Sequence, residues 1–578
     1  MAFIQTKKSK TLIIQKLSNL ITMKHFFLFL LSSFILSSFL LFSCKNKSET
    51  TTSTTKEKAD LIVYNAQIYT VDEKNPTAQA FAIKDGKFLS VGTNDEIQGK
   101  FETEKSVDAQ GKTILPGLID AHCHFYNLGV KLQQVDLVDT KSYQEVVDKI
   151  VAFQKEKNVP FIVGRGWDQN DWDIKEFPTN KELNELFPDI PVAITRIDGH
   201  AMIANQKALD LAKITTKTKA EGGEIIQKNG KLTGVLVDNP MEIVEDIIPT
   251  PTRQSQINAL LDAQQINFSY GLTTVDDAGL SPDVISLIDS LQKTEQLQMR
   301  MYVMVSNRPE YVEEYLKKGA YKTEKLNVSS FKVYADGALG SRGAALKKPY
   351  SDKHNHHGAM LIGYEDFKNL ADKLANSPFQ MNTHAIGDSA NAVVIRTYYN
   401  SLKGQNDRRW RIEHAQVVAP EELEALDKNI MISVQPTHAT SDMYWAENRL
   451  GKERIKGAYA YKKLLEKTGM IALGTDYPVE KVNPFHTFYA AVARKDLKNY
   501  PDEGFQKQNA LSREETLKGM TLWAAYSNFE ENEKGSISVG KYADFVILDQ
   551  DIMKVEENAI PNTKAIATYL GGLKVYGE

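Results

Sequence analysis

The stretch Ile114-Leu115-Pro116-Gly117-Leu118-Ile119-Asp120-Ala121-His122-Cys123-His124 decides the fold. An apolar run leads into two histidines separated by one residue. On an extended strand, residues two apart share a face, so His122 and His124 converge while Cys123 points away. Two imidazoles at a strand's end make half a metal site, provided further ligands arrive from elsewhere. Alone, the pair fits two surface histidines equally well, so the rest of the chain has to decide.

From residue 255 onward a rhythm of helix and short apolar strand sets in. Helix 255–269 leads to strand 271–277, 282–297 to 299–305, 309–318 to 330–336, and 364–376 to 380–384. Helix 389–402 then leads to 409–414, 420–428 to 431–435, and 459–468 to 471–476. With the histidine strand first, the count is eight. Short strands alternating with helices predict a parallel sheet. Eight of them predict an α/β fold, a (β/α)8 TIM barrel whose chemistry sits at the C-terminal strand ends.

Upstream of the barrel, Leu61–Tyr64, Ile68–Val71, Ala80–Ile83 and Phe88–Val91 are short strands separated by turn residues such as Lys84-Asp85-Gly86. β signals return at the end of the chain, from Gly535. The expected layout is a small β-sandwich built from both ends (59–114 and 531–578), with the barrel (115–530) inserted between them. Residues 125–260 form an insertion after the first strand. It mixes helical patterns at 142–156, 179–187 and 205–213 with a glycine-rich strand-and-turn segment at 221–237. Its motifs Gly164–Asp168 and Arg196–His200 read either as ordinary turns packing an aromatic or as parts of a substrate cover.

The 578-residue chain is 42% hydrophobic and 25% charged, ordinary globular values. A formal net charge of −4 gives no basic footprint, and no nucleic-acid partner is expected. No P-loop, nucleophile elbow or HExxH run is present. Phe26 to Phe42 is almost wholly apolar or Ser, follows Lys24 and ends Leu41-Phe42-Ser43-Cys44. A basic start, an apolar core and a small residue before the cut describe a secretory signal, and the ending resembles a bacterial lipobox. Residues 1–43 are therefore expected as a lipoprotein signal peptide, Cys44 as the acylated residue and polar residues 44–58 as a flexible tether. Either Met1 or Met23 serves as the start. An uncleaved membrane anchor is the other reading. The expected location is the bacterial cell envelope, lipid-anchored, in the periplasm or at the outer membrane. With Cys44 acylated, Cys123 has no partner and no disulfide framework is expected.

At the strand ends the ionisable residues line up: His122 and His124 on strand one, Lys332 on four, His384 on five, His414 on six, Asp476 on eight. Four of the chain's 11 histidines gather there. Imidazoles suit Zn²⁺ or a similar metal. A carboxylate at Asp476 can bind metal and take a proton from a water whose pKa the metal lowers toward about 7. Lys332 sits badly beside a metal as a bare cation. Its amine, once reacted with CO₂, gives an anionic carbamate able to bridge two metals; the other readings are a binder of substrate carboxylate or a strand-end salt bridge. His354, His356 and His357 lie in a polar loop and read as solvated. His438 follows strand seven without an assigned role.

The runs Leu115–His124, Gly164–Asp168, Asp336–Arg342, His384–Asp388, Ile412–Ala415 and Gly474–Pro478, with the tail Gly535–Ile537 and Gly540–Leu548, resemble the amidohydrolase superfamily of metal-dependent hydrolases. They look like its family 3 branch, which includes N-substituted formamide deformylase-like proteins. The resemblance covers about residues 60–578. It implies hydrolysis of a non-peptide carbon–nitrogen bond, most often amide or cyclic amide. It makes His122, His124, Lys332, His384, His414 and Asp476 metal ligands, with Asp476 doubling as general base. One or two divalent metals per chain are implied, zinc being the first choice, with carboxylated Lys332 as the bridge. Trp167, His200, Asp336 and Arg342 are the expected substrate-pocket residues. The expected partners are a small amide-type substrate and the membrane, through lipid on Cys44, and the resemblance leaves room for a homodimer. A lipoprotein-like leader is not general to this family. Two rival readings stand: a mononuclear deaminase, with Lys332 unmodified, and a non-catalytic lipid-tethered solute-binding protein, whose mark would be a lost ligand.

Overall fold

A computed structural model describes residues 56–199, 201–219, 223–404 and 406–577. Eight parallel strands form its centre: β1 (Leu118–Cys123), β2 (Leu272–Leu280), β3 (Arg300–Ser306), β4 (Leu326–Tyr334), β5 (Gln380–Ala385), β6 (Arg411–His414), β7 (Met431–Val434) and β8 (Ile471–Leu473). They pair in that order. Just past β8 the backbone N–H of Asp476 donates to the carbonyl of His122 at 2.7 Å, which brings the last strand back against the first. This nearly closed barrel follows the alternating signals strand for strand. The strands are buried along nearly their whole length because both faces are covered; six of the seven residues of β3 are buried.

The helix Pro282–Lys293 shows why the outer layer forms. Pro282 stands in the first turn, where its missing N–H is not needed. Val284, Ile285, Leu287, Ile288 and Leu291 fall on one buried stripe. Each such side chain taken out of water contributes about 1.5–3 kcal/mol.

The two ends of the described chain build the second domain together. One sheet runs Leu573–Tyr576, Ala565–Leu570, Phe545–Leu548, Thr113–Pro116, Gln67–Tyr69, Thr77–Ala78, and the other runs Lys87–Gly92, Ala80–Lys84, Leu61–Tyr64, Ser106–Asp108. Val63, Ile68, Phe81, Phe88, Ile114, Phe545 and Tyr569 share the core between them. The chain passes from sandwich to barrel at Gly117. A Cβ there would stand 2.2 Å from Thr273 Oγ1 and 3.0 Å from Asp544 Cβ, so glycine is what lets the two layers meet. Buried Arg300, at the start of β3, locks the same junction: its Nε is 2.7 Å from Asp544 Oδ2, and its guanidinium lies 4.0 Å over the Tyr542 ring.

The insertion holds more strand than expected. Val135–Asp136, Ile162–Trp167, Val192–Arg196, Ala201–Ala204, Lys231–Asp238 and Gly223–Lys228 form a six-stranded mixed sheet in that order. Two apolar clusters pack it, one around Val146, Ile150 and Trp172, the other around Ala208, Leu209 and Val244. The motif at Gly164 is thus part of a central strand, and Arg196 ends its neighbour, where turns were one of the two readings.

The tether expected through residue 58 ends earlier, because Glu57–Lys58 pairs in parallel with Phe101–Glu102. The signal at 1–43, Cys44 and His200 lie outside the described residues. Among the described residues, no helix is long and apolar enough to cross a membrane.

Candidate metal centre

β1 sends His122 into the barrel. Cys123 faces away, its Sγ 3.5 Å from the Asp276 carbonyl. His122 Nδ1 lies 2.5 Å from Glu413 Oε2 on β6, and His122 Nε2 lies 2.8 Å from Lys332 Nζ on β4. The carboxylate takes the Nδ1–H, which leaves Nε2 as the lone-pair nitrogen facing the centre. His414, at the end of β6, repeats the arrangement with Gln435 Oε1 at 2.7 Å from its Nδ1. On β5, His384 Nε2 is buried without a hydrogen-bond partner. Asp476, three residues past β8, turns Oδ1 toward His124 Nε2 (3.3 Å) and His122 Nε2 (3.7 Å). The rings of His122 and His414 are 4.8 Å apart, and those of His384 and His414 4.5 Å. The six residues expected as ligands therefore meet at the C-terminal end of the barrel.

This donor set fits a divalent metal. His122, His124 and Asp476 present ligand atoms within 4.8 Å of one another, and so do His414, His438 and Asp476. Buried imidazole nitrogens without internal partners are costly unless something takes their lone pairs, and His384 Nε2 is one such atom. Zinc sites use this mixture of imidazole and carboxylate.

The electrostatics favour neutral imidazoles at His122 and His384 beside a fixed anion, whereas at His438 the bonds to Asp476 and Glu480 overcome burial and push the ring up to about 10. Burial, with Lys332 adding to it, lowers His122 to about 4 and His384 to about 3. Burial also lowers Lys332 to about 8. For Asp476 burial works the other way, but bonds from His124 and His438 overcome it and hold the carboxyl well below the usual carboxylate range. For Glu413 the same burial is overcome by Arg411 and His122.

Two supports fix the geometry. Asp120 Oδ1 accepts from the backbone N–H of Thr475 at 3.0 Å, and Oδ2 accepts from the Thr475 hydroxyl at 2.7 Å, pinning the end of β8 to β1. His414 (φ 73°) and Asp476 (φ 62°) both lie in the left-handed region. A non-glycine residue there stores about 1–3 kcal/mol of strain, which the surrounding structure must hold.

The expected substrate-pocket residues fare differently. Asp336 reaches the edge of the centre, with Oδ1 at 3.7 Å from His384 Nε2. Its oxygens also accept the backbone N–H groups of Ala345, Ile386 and Gly387 at 2.8–2.9 Å, tying the β4 loop to the β5 loop. Arg342 holds both oxygens of Asp352 at 3.0 and 2.9 Å, and Arg449 takes the same carboxylate. Trp167 is wholly buried in the insertion's own core, its Nε1–H donating to the Ile194 carbonyl at 2.9 Å, so its task there is packing. His354 and His357 are exposed, as expected for a polar loop, while His356 is half-buried; His356 and His357 also bond the carbonyls of Arg342 and Leu346.

Sequence reasoning left Glu413 without a task, and His438 too. Strand alternation gives neighbours opposite faces, so Glu413 beside His414 reads as pointing away. The turn of the backbone at His414 breaks that alternation and lets both residues serve the centre. For His438 the available signal was its place four residues past β7, at the catalytic end of the barrel.

The chain is similar to known proteins over most of its length. Protein LONG AFTER FAR-RED 3 of Arabidopsis thaliana is 32% identical over 539 residues, spanning 90% of this chain and 92% of that protein. N-substituted formamide deformylase of Arthrobacter pascens is 25% identical over 549 residues, spanning 89% of this chain and 98% of that enzyme. The crystal structure of a metal-dependent hydrolase from Pyrococcus horikoshii superposes with a TM-score of 0.70 at 28% identity, covering 86% of this chain and 99% of that one. Residues 105–576 match the amidohydrolase family, and the chain belongs to that family.

Proposed function

We propose that this hydrolase cleaves a carbon–nitrogen bond of a small, non-peptide amide-type substrate, with Asp476 as the proton carrier. The carrying observation is the convergence of His122 Nε2, Lys332 Nζ and Asp476 Oδ1 at one buried place, with the His122 tautomer set by Glu413. His122, His124, Lys332, His384, His414 and Asp476 would hold one or two divalent metals, zinc first. When bound, the metal supplies Lewis acidity toward the carbonyl oxygen and a water acidic enough to ionise near neutral pH. Asp476, held as a carboxylate, accepts a proton from the attacking water and returns it to the leaving nitrogen.

Lys332 is suited to carboxylation. Burial lowers its amine to about 8, so the neutral form is far more available near neutral pH than at an ordinary lysine. The neutral nitrogen attacks the carbon of CO₂, one proton leaves, and a carbamate anion remains. We further propose acylation of Cys44 and a place in the bacterial envelope, on the strength of the leader sequence. The mass of the mature N-terminal peptide tests that reading.

The hydrolase reading is tested by a panel of formamides, acyl amides and cyclic amides with Asp476→Ala as control. Turnover that falls on the order of 10²–10⁴-fold in the variant is expected. Ligand capture without turnover, equal in both proteins, would instead favour a binding protein.

A further inference from the structure

We propose that His438 is the positioning residue for Asp476 and that Glu480 holds His438 in turn. The inference rests on the reading of Asp476 given above. It assigns a task to the short helix Pro436–Asp442 after β7, which no part of that reading uses.

His438 Nε2 lies 3.3 Å from Asp476 Oδ2, and His438 Nδ1 lies 3.2 Å from Glu480 Oε1. Glu480 Oε1 also accepts from Ser441 Oγ at 2.6 Å, three residues after His438. The side chains of His438, Asp476 and Glu480 are only 12%, 10% and 20% exposed, so water competes poorly for these bonds. The His414 ring stands 6.0 Å away at 34°, which limits how His438 can turn. The result is a rail, Ser441–Glu480–His438–Asp476, that joins the β7 helix to the residues past β8.

The rail divides the work of the carboxylate. Oδ1 faces His124 and His122, and Oδ2 is bonded to His438. Asp476 needs such a hold. It lies beyond the end of β8, in left-handed backbone, where no strand pairing fixes its side chain. Outer partners of this kind orient ligands, and their removal typically costs 10–100-fold in metal affinity.

Zinc titration of the full chain against a competing chelator tests the assignment, alongside kcat and KM on any amide turned over. His438→Ala is expected to weaken zinc binding about 10–100-fold while the zinc count at saturation stays unchanged. His438→Gln keeps an N–H aimed at Asp476 Oδ2 and is expected to recover affinity to within about threefold. With a hydrolysed amide, His438→Ala lowers kcat more than it raises KM. Wild-type affinity in His438→Ala overturns the proposal. Equal losses in the Ala and Gln variants overturn it as well, since a donor restored toward Asp476 Oδ2 would then recover nothing. Loss of one zinc per chain at saturation would make His438 a ligand, again against it. If His438→Ala does not fold, Glu480→Ala is read instead, with weaker zinc binding expected and unchanged binding against. Should no amide be hydrolysed, the zinc data still decide, and only the amide reading falls.

Discussion

Glu413 Oε2 lies 2.5 Å from His122 Nδ1, and neither side chain reaches solvent. Arg411 Nε holds the other Glu413 oxygen at 2.7 Å, Arg411 Nη1 holds Asp276 Oδ2 at 2.8 Å, and Asn528 Nδ2 donates to Asp276 Oδ1 at 2.7 Å. A buried chain of charge thus connects the candidate metal centre to residues beyond the barrel strands. Removing one partner from such a chain leaves the others uncompensated in a dry interior. Glu413→Ala is therefore expected to cost about 3–5 kcal/mol in urea unfolding and to weaken zinc binding about 10–100-fold in chelator competition. A stability change under about 1 kcal/mol would show the chain is not holding His122.

Gly474 sets how closely β8 approaches β1. A Cβ there would stand 2.5 Å from His122 N and 2.8 Å from Asp120 Oδ1. Gly474→Ala forces the strands apart where Asp476 N bonds His122 O and where Asp120 bonds Thr475. The expected outcome is a loss of about 1–3 kcal/mol, with lower zinc content than wild type in the folded protein. Full zinc content in the folded variant would mean that Asp476 does not depend on this approach.

Asp336 anchors two loops through three backbone N–H groups. Asp336→Ala orphans all three in a buried place, at about 1–3 kcal/mol for each buried group left unpaired. Chemical denaturation is expected to register a loss of at least about 3 kcal/mol. A loss under about 1 kcal/mol would mean the loops find other acceptors.

The Arg342–Asp352–Arg449 clamp carries a pH signature. Arg342 beside Asp352 holds its carboxyl below the usual carboxylate range, which is about 3.9 when unfolded. A depressed folded value gives stability that is present above about pH 4 and lost as pH falls through the folded value. The melting-temperature gap between wild type and Asp352→Asn should therefore stay constant from about pH 8 to 5 and close below about pH 4. A gap that widens on acidification would contradict the clamp.

Much of this was legible in the sequence, for physical reasons. Only the C-terminal ends of the barrel strands reach the centre, so His122, Lys332, His384, His414 and Asp476 are picked out by their shared place at or just past a strand end. The insertion was harder. Ile162–Trp167 and Val192–Arg196 are short, and the first contains Gly164, Arg165 and Gly166, so turn chemistry masks its place in a sheet. The helix Pro484–Ala493 is buried on nearly every side and shows no amphipathic period to read. Trp167 lay in a motif that the family resemblance made suggestive, yet its environment is apolar packing, which a sequence motif does not distinguish from a pocket wall. His438 depends on a contact with Asp476 across 38 residues of chain, and no local pattern encodes it.

In the proposed site Lys332 stands within a metal centre assembled from five strand ends. The most direct test is elemental analysis of metal per chain, on protein purified without chelator and with bicarbonate present, for wild type and Lys332→Ala. About two metals per wild-type chain are expected, as in two-metal hydrolytic sites, with a clear drop in Lys332→Ala. Wild-type protein without metal, or a single metal unchanged by the substitution, would contradict the proposed site.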